Sequence, residues 1–447
     1  MADIETATLI LAAGHGTRMK STLPKVLHQV AGRSLLGHVM ATAAALQPRR
    51  RAIVIGDHAP EVGDAATAID EGVFVAVQSP PRGTGDAVKC AAPAIEGFDG
   101  VVIVLYADTP FVSGETLGQL RAEVAAGAKV AVLGFTPDDP GAYGRLVRDD
   151  NGDLAAIVEA KDADPEQLKI RLVNSGVMAF DADFLRRGLP QLTDDNAKRE
   201  FYLTDLAAIA RGEGGRCAIV EADEDEVLGV NSRLELAVAE KIYQTRRRNE
   251  AMISGVTLID PDTVYFSYDT EIGEDVVIEP SVFFGPGVSV ASGARVKAFS
   301  HIEAAHIGEG ANVGPMARLR PGASVGAGAK VGNFVEVKNA DIGAKAAVSH
   351  LTYIGDATIG AGANIGAGTI TCNYDGYRKH RTEIGAGAFI GSNSSLVAPL
   401  TIGAGAYVGS GSVITKNVAD EALAVARGRQ SDIPNWAGKF RRANKSD

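Results

Sequence analysis

At 447 residues and 46% hydrophobic, the chain is long enough for two or three domains, each with its own core. A formal net charge of −11 argues against nucleic acid as the main partner, so Arg49-Arg50-Arg51 and Arg246-Arg247-Arg248 read as solvated faces. Three widely spaced cysteines (Cys90, Cys217, Cys372) form no disulfide framework and no zinc spacing, and Asp3 and Glu5 precede only a short apolar run; the expectation is a cytoplasmic chain without signal peptide or membrane span.

In chain order, residues 5–13 predict a buried strand that runs into Gly14-His15-Gly16-Thr17-Arg18-Met19. Apolar runs at 52–55, 73–77, 101–106 and 130–135 predict further strands, and helical patterns fall at 38–46, 85–92 and 116–126. Such alternation predicts a Rossmann-like α/β domain, a parallel sheet with helices on both faces, whose ligands bind beyond the carboxyl ends of the strands. Gly14, Gly83 and Asp108 all stand just after a predicted strand. The paired glycines let backbone N–H groups approach a phosphate, and Arg18 and Lys25 add charge. No Gly-Lys-Ser/Thr follows, and the third glycine of the dinucleotide fingerprint is missing. Singly, Asp108 and Asn231 also read as helix caps and Asn174 as a turn residue.

The whole string Leu11-Ala12-Ala13-Gly14-His15-Gly16-Thr17-Arg18-Met19, followed by Leu23-Pro24-Lys25, resembles the signature of sugar-phosphate nucleotidyltransferases. Gln78 with Gly83-Thr84-Gly85 resembles the uracil edge of that family, and Tyr106-Ala107-Asp108 its metal-binding strand end, with Ala107 where the family has glycine. Gly141-Ala142-Tyr143-Gly144-Arg145, Ile157-Val158-Glu159, Val173-Asn174-Ser175-Gly176 and Gly229-Val230-Asn231-Ser232 extend the likeness. The resemblance implies a uridyltransferase pocket with catalytic Lys25 and Arg18. Leu11, Ala12, Ala13, Gly14, Gln78, Gly83, Thr84, Tyr106, Ala107 and Asp108 would bind substrate there. Gly144, Glu159 and Asn174 would hold the sugar, and Asn231 would share Mg²⁺ with Asp108.

Residues 232–252 have a helical pattern uninterrupted by Gly or Pro. The expected division is 1–230 for the first domain, 231–252 for a helical linker and 253–447 for a second domain with a polar, basic tail. In that second domain a branched apolar residue recurs every six positions, as at Ile272, Ile278, Phe284, Val290, Val296 and Ile302, then from Ile307 to Val337, and again from Ile384 to Ile414. Six is too long for a helix turn or for strand alternation, and fits a short strand plus a tight turn wound around a prism. Three hexads make one coil, so the beat at 264–418 predicts roughly seven coils and a prism of about 35 Å. The beat is interrupted between Ile342 and Ile354, around His350, and between Ile370 and Ile384, around Asn373-Tyr374-Asp375-Gly376. Interruptions of a regular scaffold are candidate functional loops. A lone histidine there is either a satisfied corner residue or a general base, and Glu336 is a carboxylate that could orient it.

The period resembles that of hexapeptide acyltransferases, which implies a left-handed parallel β-helix. With Arg318-Leu319-Arg320-Pro321-Gly322, Asn333-Phe334-Val335-Glu336-Val337-Lys338 and Ser349-His350-Leu351-Thr352-Tyr353 in this order, residues 5–430 resemble the bifunctional bacterial N-acetylglucosamine-1-phosphate uridyltransferase/glucosamine-1-phosphate acetyltransferase family. That resemblance implies His350 as catalytic base, Arg320, Lys338, Tyr353 and Asn364 on the sugar phosphate, and Ala367, Asn373, Tyr374, Ser392, Ser410 and Arg427 on acetyl-CoA. It also implies UTP as co-substrate and a homotrimer built through the β-helix. Two other readings stay open: a single-activity nucleotidyltransferase with a regulatory β-helix, and a β-helix that only trimerises the chain or displays a binding face.

Overall fold

The computed structural model describes residues 5–196 and 198–445. The chain divides into two compact units, Met1–Tyr243 and Gln244–Asp447.

Among the described residues, the first unit is built on a sheet ordered Cys217–Glu221, Val130–Phe135, Val173–Asp181, Val101–Tyr106, Thr6–Ala12, Arg50–Gly56, Phe74–Gln78. The expected strands at 101–106 and 130–135 appear with those bounds. Alternate side chains of Thr6–Ala12 go to opposite faces: Leu9 and Leu11 join one apolar cluster, Ile10 and Ala12 another. Helix Thr84–Cys90 contributes Ala87 and Val88 to the first cluster, while Leu35–Ala45 and Gly114–Ala125 cover the second. The sheet is not wholly parallel. Val173–Asp181 runs antiparallel to both Val101–Tyr106 and Val130–Phe135. An apolar run encodes burial, not direction, so the pattern at 173–181 gave no sign of the reversal. Thr6–Ala12 lies between Val101–Tyr106 and Arg50–Gly56, so the loops at its carboxyl end diverge and leave a crevice there.

The helix expected at 232–252 is Arg233–Ile253. It is more than a linker. In the first unit Leu236, Ala239, Ile242 and Tyr243 pack with Val30, Leu35 and Phe111. In the second, the Gln244 amide exchanges hydrogen bonds with the Phe266 backbone at 2.7 and 2.8 Å. Arg248, read from sequence as solvated, is buried and donates to Val264 O at 2.9 Å and Asp262 Oδ1 at 3.0 Å.

The second unit is a prism of two- to seven-residue parallel strands. One face stacks ten strands among the described residues, from Thr257–Leu258 to Leu423–Ala424. At about 4.8 Å per rung, nine steps give about 43 Å, longer than the hexad beat suggested. The terminal rungs lie outside the regular beat and the count passes over Val348, which is why it gives too few coils. Ile, Val and Leu of successive coils fill the interior as one continuous cluster. The first expected interruption is also absent. Val348 is buried at the hexad position between Ile342 and Ile354, and Ala347–His350 pairs in register with Lys330–Asn333. The second interruption is real: residues 374–379 leave the prism and are exposed. Strands Glu336–Ile342 and Tyr353–Ile359 each continue around a corner, joining two faces into one sheet.

Candidate functional sites

In the first unit the strand Thr6–Ala12 delivers the Gly14–Gly16 loop to the crevice. Gly16 has φ +58°, and a Cβ there would lie 2.6 Å from Lys25 Cβ, so glycine is what lets the loop close against Lys25. Lys25 in turn ion-pairs with Asp108 and donates to Asn231 Oδ1 at 2.9 Å. Asn231 reaches this point because Val230 N–H bonds the Asp108 carbonyl at 2.8 Å. Three residues far apart in sequence thus meet around one ammonium.

A cavity of about 540 Å³ opens beside them, lined by Leu11, Ala12, Ala13, Gly14, Lys25, Gln78, Gly83, Thr84, Tyr106, Asp108, Glu159 and Asn174. Gly144 does not line it, but a Cβ there would touch Ile157 Cγ2 and Glu159 Oε1 at 3.4 and 3.5 Å, and its carbonyl accepts from Asn174 N–H at 2.8 Å. Gln78 Nε2 donates to Gly83 O at 3.0 Å and Asp86 Oδ2 at 2.8 Å, which fixes the shape of the Gly83 turn. Burial, and then the neighbouring Asp108 charge, pushes the Tyr106 phenol well above its usual range. Ala107 causes no backbone conflict: it lies outside the positive-φ set, its methyl is buried in the core, and its N–H bonds Leu11 O at 3.0 Å. Arg18 is exposed on the turn Thr17–Met19 and does not line the cavity.

The opposite wall was missed by sequence reasoning. Lys198, Glu200, Tyr202 and Thr204 line the cavity, while Leu203 between them is buried in the core. The alternation of polar and apolar residues at 200–204 was the available signal. Gly85 N–H to Phe201 O and Phe201 N–H to Arg82 O, both 2.8 Å, strap this segment to the Gly83 turn.

In the prism, His350 is exposed and its Nδ1 lies 2.6 Å from Asn333 Oδ1. An amide oxygen only accepts, so Nδ1–H donates and Nε2 is left as the acceptor. Glu336 does not orient this ring; it pairs with Arg320 at 2.8 Å. Asn333 is one coil below His350, 17 residues away, a relation visible only once the coil length is known.

Register extends the column. Val331 pairs with Val348, Val348 with Ile365, Ile365 with Ile390 and Ile390 with Val408. Each of Asn333, His350, Ala367, Ser392 and Ser410 follows its rung residue by two positions, so they share one turn column. Arg427 Nη1 donates to Ser410 O at 2.8 Å at its far end.

At the next corner Arg320, Lys338 and Gly355 align through the pairing of Leu319 with Val337 and of Lys338 with Gly355. Lys379, from the protruding loop, meets Lys338; that contact first, then the charges of Lys379 and Arg320, lower the Lys338 pKa. Arg320, Lys338 and Lys379 thus gather three cations at this corner, with Arg320 paired to Glu336. Tyr353 is on the face between the two corners, paired with Glu336 and Ile370, and Asn364 is on the adjacent face. Asn373 is buried and donates to Asp356, which also accepts from Asn339 Nδ2 at 2.6 Å. Burial raises the Asp356 pKa, but these hydrogen bonds and the nearby lysines outweigh it and hold the carboxyl below its usual range. Tyr374 is exposed on the loop, whose Asp375 accepts from Arg378 N–H, His380 and Tyr377 N–H and is drawn down to about 2.

Residues 8–168 match the MobA-like NTP transferase domain family, and residues 381–416 match the bacterial transferase hexapeptide family (six repeats). The chain is 52% identical over 443 residues to the bifunctional protein GlmU of Paramagnetospirillum magneticum, covering 99% of this chain and 98% of that one. It is 53% identical over 437 residues to the bifunctional protein GlmU of Sphingopyxis alaskensis, covering 97% and 96%. With GlmU of Rhodopseudomonas palustris strain TIE-1 the identity is 56% over 437 residues, covering 98% and 96%. Since these identities run through the nucleotide crevice and the prism alike, the chain belongs to the bifunctional GlmU family.

Proposed function

We propose that the two units carry out successive steps in making UDP-N-acetylglucosamine. In the prism, the amine nitrogen of glucosamine 1-phosphate attacks the thioester carbonyl of acetyl-CoA. The C–N bond forms, the C–S bond breaks, His350 Nε2 takes the amine proton, and CoA leaves. Arg320 and Lys338 hold the sugar phosphate, with Tyr353 and Asn364 beside it. The cofactor runs along the turn column past Ala367, Ser392 and Ser410 to Arg427, with Asn373 and Tyr374 flanking it. The observation that carries this reading is an exposed imidazole, held by Asn333 at the head of that column, one face away from a cluster of cations.

In the first unit, a phosphate oxygen of N-acetylglucosamine 1-phosphate attacks the α-phosphorus of UTP and pyrophosphate leaves. Gln78, Gly83 and Thr84 bind the uracil end, and Gly144, Glu159 and Asn174 the sugar. Lys25 stabilises the developing negative charge from within the crevice, and Arg18 adds positive charge from the exposed turn beyond it. The Asp108 carboxylate and the Asn231 amide oxygen already converge on one positive charge, the Lys25 ammonium, and this pair of hard oxygen donors fits Mg²⁺. When bound, Mg²⁺ would neutralise charge on phosphate oxygens.

The same reading includes a homotrimer. Phe299, Met316, Phe334 and Leu351 follow one another up one prism corner, 44–63% exposed and all with positive φ. Four bulky apolar side chains exposed in a row support a corner covered by other copies. No helix among the described residues is long and apolar enough to cross a membrane, and cytosolic co-substrates fit a cytoplasmic enzyme.

An assay with all substrates and Mg²⁺ tests the two-site reading. His350→Ala should lose acetyl transfer by at least about 100-fold, the scale of a positioned base, yet still uridylate supplied N-acetylglucosamine 1-phosphate. Asp108→Ala should do the converse. A folded variant that loses both activities together would refute two independent sites.

A further inference from the structure

His15 lies in the phosphate-approaching loop and lines the crevice, yet nothing above gives it a task. Its ring is stacked on that of His58, with centroids 4.1 Å apart and planes at 27°. The two rings come from the carboxyl ends of adjacent parallel strands, Thr6–Ala12 and Arg50–Gly56, whose register pairs Ala12 with Ile55. The seat of His58 depends on Gly56: a Cβ there would lie 2.3 Å from His58 Cε1 and 3.1 Å from Ala13 O. Ser79, one residue beyond Gln78, hydrogen-bonds Asp57 and so ties the His58 turn to the next strand end. The Asp57 carboxylate is 3.9 Å from His58 Nδ1.

We infer that His15 is a further contact for the pyrophosphate end of the nucleotide, and that His58 is the positioning residue that holds its ring over the loop. The inference rests on the uridylyl-transfer reading. The loop's glycines offer backbone N–H groups at the anion, and an imidazole N–H beside them adds a side-chain donor to the same oxygens. A ring on a glycine-flanked loop swings freely unless something stacks against it. His58 supplies that surface from a turn with two anchors, the Gly56 cleft and the Ser79–Asp57 bond.

The reaction run backwards isolates this end of the pocket, because pyrophosphate then binds as a separate substrate. The full chain with Mg²⁺, UDP-N-acetylglucosamine and inorganic pyrophosphate is the system. His15→Ala should raise the KM for pyrophosphate about tenfold, the loss of one hydrogen bond to a charged group. Its KM for UDP-N-acetylglucosamine should stay within twofold. His58→Ala should move the same constant in the same direction, by less, and His58→Phe should restore it by keeping the stack without ring nitrogens. Thermal unfolding of each variant separates folding defects from binding defects. Unchanged pyrophosphate KM in folded His15→Ala overturns the contact. Failure of His58→Phe to restore what His58→Ala loses overturns the stacking role. No pyrophosphate-dependent turnover in the unmodified chain would overturn the uridylyl-transfer reading itself, and the inference with it.

Discussion

At the scale of single residues, what matters is which atom each neighbour leaves available. Asn333 Oδ1 accepts the hydrogen bond of the His350 Nδ1–H and thereby fixes which nitrogen is left as acceptor. Asn333→Ala should lower kcat for acetyl transfer about tenfold, a fraction of what a positioned base supplies, with KM little changed; steady-state kinetics checks the split. A second residue-scale effect is a pH dependence of stability. Burial first, and Arg33 with it, holds the His38 pKa below its ordinary 6.5, although its hydrogen bond to Val30 O opposes this. The unfolded chain therefore binds more protons than the folded one once the pH falls below about 6.5. Stability of the first unit should be full above that pH and decline as the pH drops towards the folded-state pKa. His28, also depressed by burial and then by Arg233, adds the same sign. Urea midpoints at pH 7.5 and 5.5 test this, and His38→Gln should flatten the slope.

At the scale of elements, the prism depends on a close approach between coils. Gly343, Gly360, Gly385 and Gly403 succeed one another up one corner, and a Cβ on Gly360 would lie 2.3 Å from Ala386 N. Backbone cannot yield as a side-chain tip can, so Gly360→Ala should destabilise the prism by about 1–3 kcal/mol, read as a lowered guanidinium midpoint for its transition. The same regularity decided how much could be read in advance. The strand and helix alternation, the crevice loops and the coil architecture all show in periodicity, because burial on one face imposes it. The reversal of Val173–Asp181 does not show, since strand direction leaves no mark on an apolar run. Nor did the supposed interruption at 342–354 exist: Val348 keeps the beat, and the polar residues around it drew attention from it. Partners such as Asn333 and His350, or Glu336 and Arg320, are a coil apart in sequence and become neighbours only through register. Lys198, Glu200, Tyr202 and Thr204 needed only an alternation count.

At the scale of the whole molecule, the exposed apolar corner decides what assembly should do to activity. Replacing Phe334 and Leu351 by Asp should give monomers by sedimentation, abolish acetyl transfer and leave uridylyl transfer within about twofold, since the crevice is lined by residues of the other unit. The turn column carries a further consequence. Its members are spaced by whole rungs of about 4.8 Å, so the separation of His350 from Ser410 is quantised. Evolution can lengthen it only by inserting a complete winding; a partial insertion would swing every later side chain onto another wall. The long step from Asn364 to Phe389 obeys that constraint: its surplus residues bulge outward at 374–379 while the rungs on either side stay aligned. The scaffold thus behaves as a graduated scale, on which a different carrier length would be recorded as a different number of notches.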